Sequence, residues 1–199
     1  MIRDGRQLSL FGVEAAPAVP LDLEGLLAGT GQITRMGGTA RVSVVVDQRW
    51  RAAVLLAEFA ARGLSASCEP AVVDGHLHVR TAYSSALAEL GARWLRGTGA
   101  AKAVPKGFVL DGRRLRLWLA AEGAPDGPRA YTLRLGAGDG TETWRAVGAA
   151  LAAVGLPSVL MEPTAGGPAY RVIGRRRVAR LAELVGDPPR NAQAECWPQ

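Results

Sequence analysis

Residues 48–63 read QRWRAAVLLAEFAARG, and the triplet near the start of this run, Trp50-Arg51-Ala52, returns 94 residues later as Trp144-Arg145-Ala146. Leu87-Ala88-Glu89-Leu90 returns at the same offset as Leu181-Ala182-Glu183-Leu184. Between these anchors Gly63-Leu64 answers Gly155-Leu156 at 92 and Glu69-Pro70 answers Glu162-Pro163 at 93. Four ordered matches at nearly one offset, with small loop insertions and deletions accounting for the drift, mark an internal duplication.

Each copy carries the same order of elements. In the first, LDLEGLLAG is a short helix stopped by Gly29 or Gly31, and QITRMGGTARVSVVVD is a hairpin turning at Gly37-Gly38. The 48–63 run is an amphipathic helix with Trp50, Val54, Ala57 and Ala61 on one stripe and a stop at Gly63. A second hairpin, SASCEPAVVDGHLHVR, turns at Asp74-Gly75, and YSSALAELGARWL closes the copy. The second copy runs RRLRLWLAAEG, a strand pair ending in AYTLRL, TETWRAVGAALAAVG, a hairpin through AGGP into AYRVI, and RRRVARLAELVG. The fold class is therefore α+β, with the order α-β-β-α-β-β-α twice and two antiparallel sheets. Residues 1–20 and 187–199 read as tails, and the repeats occupy 21–104 and 105–186.

Composition bounds the rest. The 199 residues carry 24 Lys+Arg against 18 Asp+Glu, a net charge of +6, and 48% hydrophobic residues, too apolar for a disordered chain. Two cysteines, Cys68 and Cys196, make neither a disulfide scaffold nor a four-ligand zinc site, which sets a reducing cytoplasm as the expectation. The start, MIRDGRQLSLFG, lacks the apolar run of about 7–15 residues of a signal peptide, and no stretch approaches the roughly 18 apolar residues of a membrane span. Of the basic residues, only Lys102 and Lys106 are lysine. Arginine dominance follows either from codon bias or from a need for bidentate phosphate recognition.

Leu26-Leu27-Ala28-Gly29-Thr30-Gly31, Leu117-Trp118-Leu119-Ala120-Ala121-Glu122-Gly123, Tyr131-Thr132-Leu133-Arg134-Leu135, Gly155-Leu156-Pro157 and the closing Tyr170-Arg171-Val172 to Leu184-Val185-Gly186 together resemble the LAGLIDADG homing-endonuclease fold, and within it the WhiA regulators. The resemblance covers Leu21 to Gly186. It implies two sheets related by a pseudo-two-fold axis, with the two signature helices packed on that axis through small residues: Gly25, Ala28 and Gly29 against Ala120, Ala121 and Gly123. It also implies one acidic residue from each of those helices at a metal-bound scissile phosphate. The equivalent positions here are Thr30 and Glu122. With one carboxylate replaced, the resemblance implies a non-enzyme with no catalytic residue, no metal and no cofactor. Since only residues 187–199 follow Gly186, the helix-turn-helix domain that follows this part in WhiA is expected to be absent.

Strand alternation identifies a polar sheet face. Arg41, Ser43, His76, His78 and Arg80 lie outward in the first copy, and Thr132, Arg134 and Arg171 in the second, with Arg171 as the repeat partner of His78. In the family this face lies along the DNA major groove; in any antiparallel sheet it also simply meets water. The Arg175-Arg176-Arg177 cluster with Arg180 begins the closing helix, where cations oppose the helix dipole. A phosphate backbone compensates for that opposition, and so does solvation.

Gln7-Leu8-Ser9-Leu10-Phe11 resembles the pentapeptide by which bacterial polymerases and repair proteins bind the β sliding clamp: a glutamine for a polar pocket, Leu10 and Phe11 for an apolar one. The leading expectation is a non-catalytic, nucleoid-associated cytoplasmic protein that binds double-stranded DNA, is recruited to the clamp and acts in DNA replication or repair. The alternatives are a WhiA-like transcription or sporulation factor and a LAGLIDADG endonuclease with a degenerate site. Oligomeric state is not legible in the residues.

Overall fold

The computed structural model describes residues 17–73, 75–95, 102–164 and 167–199; the pentapeptide at 7–11 lies outside them. A 3-10 turn at Pro20–Leu23 leads into α1 (Glu24–Ala28), followed by β1 (Gln32–Met36), β2 (Thr39–Val46), α2 (Arg49–Ala61), β3 (Ala66–Pro70), β4 (Leu77–Thr81) and α3 (Ala88–Trp94). The second copy repeats the order with α4 (Gly112–Glu122), β5 (Gly123–Pro125), β6 (Ala130–Arg134), α5 (Gly140–Ala153), β7 (Val159–Thr164), β8 (Gly167–Ile173) and α6 (Arg175–Val185). The strands form two four-stranded antiparallel sheets of identical topology, β1-β2-β4-β3 and β5-β6-β8-β7.

Local pattern explains the sheets. Along β2, Ala40, Val42, Val44 and Val46 are buried while Arg41, Ser43 and Val45 are not, so the strand turns one face to the helices and leaves the other open. α2 departs from the expected stripe. It buries Arg51, Ala52, Val54, Leu55 and Phe59, whereas Ala57 and Ala61 are exposed, because the helix touches α4 as well as its own sheet. Two contact surfaces widen the buried arc, and the second admits a charged residue.

α1 and α4 are packed against each other, as the resemblance implied. A Cβ at Gly25 would run into the backbone carbonyl of Arg114, and one at Gly29 would lie 2.5 Å from the indole nitrogen of Trp118. Leu26, Leu27, Leu115, Trp118 and Leu119 surround the contact, and a single apolar cluster continues through both copies. The buried Glu24 carboxylate ties the pair together, accepting from Arg114 Nε at 3.1 Å, Arg93 Nε at 3.0 Å and Trp94 Nε1 at 3.2 Å.

Residues 187–199 are not a tail. Trp197 is 3% exposed and its indole donates to Gly186 O at 2.8 Å, while the Tyr131 hydroxyl donates to Cys196 O at 2.8 Å. Arg116 lies over the Trp197 ring at 5.3 Å and donates to Val185 O and Asp187 O. Proline-rich, polar composition suggested a loose end, but one large aromatic gains enough by burial to dock the segment. Among the described residues no helix is long and apolar enough to cross a membrane.

Candidate nucleic-acid interface

The centre of the molecule is the meeting of two helix ends. α4 terminates at Glu122 and the turn after α1 carries Thr30; the Thr30 hydroxyl donates to Glu122 Oε1 at 2.9 Å across 92 positions of sequence. Burial pushes the Glu122 carboxyl above its ordinary value of 4.5, against the Thr30 bond and the charges of Arg134 and Arg51, and the field of Asp47 raises it further.

Each helix end is closed by a buried cation. At α4, the 4% exposed Arg51 donates to Leu119 O and Ala120 O, both at 3.1 Å, and to Gly123 O at 2.7 Å; its Nε lies 3.1 Å from Asp47 Oδ1. At α1, Lys102 Nζ donates to Gly29 O at 2.8 Å and Gly31 O at 2.9 Å and lies 2.8 Å from Asp139 Oδ2. Cations there satisfy the orphan carbonyls of the last turn and oppose its partial negative charge. Burial pushes the Lys102 ammonium down and the Asp139 carboxyl up, and their mutual attraction opposes both shifts.

Sequence reasoning missed these four residues, although a signal existed. Asp47 and Asp139 stand 92 apart, as do Thr30 and Glu122, and Arg51 belongs to the repeated Trp-Arg-Ala anchor. A symmetric metal site with one carboxylate from each helix does not fit the residues present, because the first helix offers a neutral hydroxyl already bonded to the Glu122 carboxylate. Among the described residues no group of three or more His, Cys, Asp or Glu is placed to hold a metal ion.

The open sheet faces flank this centre. In the first sheet the ladder aligns Gln32, Ser43, Arg80 and Ser67 in one cross-strand row, with Thr34 beside Arg41 and Val45 beside His78 and Glu69. In the second, Ala124, Thr132, Arg171 and Val159 form the equivalent row, followed by Arg134, Ala169 and Met161. Register therefore equates Arg171 with Arg80 rather than with His78. Both assignments keep Arg171 on the same face, since a two-residue shift preserves side-chain direction. His76 lies in the turn before β4, where its backbone N–H donates to Val73 O at 3.1 Å.

Several of these cations already have partners. Arg80 makes a forked bond to Glu69 at 2.7 and 2.9 Å, Arg171 Nε lies 2.6 Å from Asp126, and Arg41 stacks on Tyr83 at 4.8 Å. Such solvent-facing pairs are worth at most about 1 kcal/mol. Arg175, Arg176, Arg177 and Arg180 are exposed at the start of α6, with Arg177 donating to Ile173 O at 3.0 Å and Arg180 pairing with Glu183 at 3.2 Å. Gly174 turns the chain into this helix at φ 108°, a conformation that favours glycine.

Comparison with solved structures fits this geometry. The homing endonuclease I-WcaI, solved bound to its DNA recognition sequence, superposes with a TM-score of 0.61 at 12% identity over 82% of this chain and 78% of its own. The fold is the LAGLIDADG fold. I-DmoI, solved in complex with DNA and Mn, matches at a TM-score of 0.45 and 12% identity over 84% of this chain and 98% of its own. No family model and no curated protein matches the sequence.

The likeness overturns the expectation of a non-enzyme, since the architecture is shared with a homing endonuclease. That expectation rested on Thr30 standing where the resemblance implies a carboxylate.

Proposed function

We propose that this chain is a duplex-DNA-binding protein that lies in the major groove with the open faces of both sheets and holds the Thr30–Glu122 pair over the centre of its site. The observation that carries the reading is the placement of Arg41, Ser43, His78 and Arg80 on one face and Thr132, Arg134 and Arg171 on the other, on either side of that pair. Major-groove edges present donors and acceptors that such side chains complement, and the phosphates complement the net charge of +6. Arg175, Arg176, Arg177 and Arg180 extend the cationic surface beyond the end of β8.

Salt titration tests this. An interface with roughly 6–10 phosphate contacts loses about 10³–10⁵ in affinity between about 50 and 200 mM salt. Alanine at Arg134 or Arg176 lowers the slope by about one unit. Absent or salt-insensitive duplex binding overturns the reading.

A second reading, phosphodiester hydrolysis at the centre, is favoured by the buried Glu122 with Asp47 near it. Nicking of supercoiled DNA, with or without added Mg²⁺, that is lost in Glu122→Gln supports it; no nicking by the parent, or equal nicking by parent and variant, overturns it.

Recruitment to the β sliding clamp, and with it a role in replication or repair, is supported by the Gln7–Phe11 pentapeptide alone. Retention on immobilised clamp is expected for the parent and lost in the Leu10→Ala, Phe11→Ala double variant; equal retention overturns it.

A further inference from the structure

The two open faces, alike in topology, differ in chemistry. At equivalent ladder positions Gln32 of the first sheet is replaced by Ala124 in the second, Ser67 by Val159, His78 by Ala169 and Glu69 by Met161. Arg41 is likewise replaced by Ala130. The second face thus keeps Thr132, Arg134 and Arg171 but sets an apolar strip among them, with Val159 54%, Met161 40% and Ile173 40% exposed. The first face opens Met36 and Val45 as well, but at opposite ends of its ladder, whereas Val159, Met161 and Ile173 are ladder neighbours, and three adjacent apolar side chains open to water mark a contact surface.

We infer that the halves of the interface read a duplex by different means: the first sheet by hydrogen bonds to base edges, the second by apolar contact with thymine methyl groups. The inference rests on the duplex-binding reading above. What commits the strip to DNA is its surroundings. Arg134 and Arg171 stand within the same face, and Arg175, Arg176 and Arg177 follow directly beyond the end of β8, so the apolar side chains of the edge strand are bordered by charge complementary to a polyanion. In the major groove the thymine C5-methyl is the apolar group that a side chain meets. Alanine at positions 124, 130 and 169 keeps the face low, so that Val159, Met161 and Ile173 are the side chains that stand above it.

The experiment selects bound duplexes from a randomised pool with the full chain, then replaces thymine by deoxyuracil one half at a time, which removes the methyl and alters no hydrogen-bonding group. In one half each replaced thymine under the strip is expected to weaken binding about fourfold, the value of one buried methyl group. The Val159→Ser, Met161→Gln double variant, altered at exposed positions, is expected to lose that sensitivity while still binding. The Gln32→Ala, His78→Ala double variant is expected to relax base preference in the opposite half and to retain methyl sensitivity. Deoxyuracil acting equally in both halves, acting in neither, or still acting on the Val159→Ser, Met161→Gln variant overturns the inference while leaving duplex binding standing. So does a variant that binds DNA as the parent does but has lost self-association or retention on anionic vesicles, since the strip would then cover a second copy or a lipid surface. Failure of the parent to bind any duplex overturns the proposed function itself, and this inference with it.

Discussion

Arg51 shows how far a single side chain departs from its type. A guanidinium on an amphipathic helix is ordinarily a solvated group, yet this one satisfies two carbonyls of α4 in the other copy and that of Gly123 just beyond it, and pairs with Asp47. Arg51→Met leaves those carbonyls and Asp47 without their donor. Asp47 is left to solvent, so the expected loss is about 1–3 kcal/mol, the cost of leaving buried acceptors unpaired, measured by urea unfolding. Glu122 makes a prediction in pH. Its folded carboxyl titrates above the ordinary 4.5, so between that value and the raised one the folded chain holds a proton that the unfolded chain has released. The unfolded state then binds fewer protons, and stability falls as pH rises through this window. Glu122→Gln removes that contribution. Melts of parent and variant across the acidic to neutral range are expected to diverge in the variant's favour with rising pH, then run parallel; a constant difference contradicts the assignment. The juxtaposition of Thr30 and Glu122 followed from the resemblance, which implies that the two signature helices each bring one residue to the centre. The cations behind them were not, because hydrogen-bond capacity says nothing about which distant carbonyl a side chain meets.

Elements were legible where their period is local. Glycine stops and alternation placed both hairpins of each copy, and the resemblance implied the close contact of α1 and α4 through their small residues. That contact makes a sharp prediction: Gly25→Ala drives a methyl into the Arg114 carbonyl, where backbone has no rotamer to give. A loss of about 3 kcal/mol or more is expected in urea unfolding, at the upper end for overpacked cores. The C-terminal segment is the counterexample. Its composition reads as loop, but Trp197 is buried and anchors it beside β5 and α4. Trp197→Ala is expected to cost about 3–5 kcal/mol, the range for deleting a buried large aromatic, and to make residues 187–199 the first site of limited proteolysis. Undiminished stability and protection would show that the docking contributes nothing. The stripe of α2 failed for a related reason: periodicity finds one apolar face, while tertiary packing against both the sheet and α4 adds a second.

At the scale of the molecule, duplication gives two sheets of one topology, and a groove-binding saddle needs both. The matching pairs at 92–94 residues made that architecture readable without any structure. If both faces engage DNA, two alanine substitutions on opposite sheets, His78→Ala and Arg134→Ala, are expected to weaken duplex binding additively, because distant sites with no shared partner act independently. Fluorescence anisotropy of parent, singles and double checks this, and a double variant no weaker than one single would confine binding to one face. The sequence by itself determined the duplication, which is written in the matching pairs, and the order of helices and strands, which depends on neighbours within a few residues. Tertiary structure alone decided that Arg51 and Lys102 close the central helix ends, that Trp197 docks the C-terminal segment, and that the second face is apolar at ladder positions where the first is polar. Those features depend on side chains brought together from up to about 70 residues apart, and on strand register, which fixes equivalence between the copies more finely than a repeat offset that drifts with every loop.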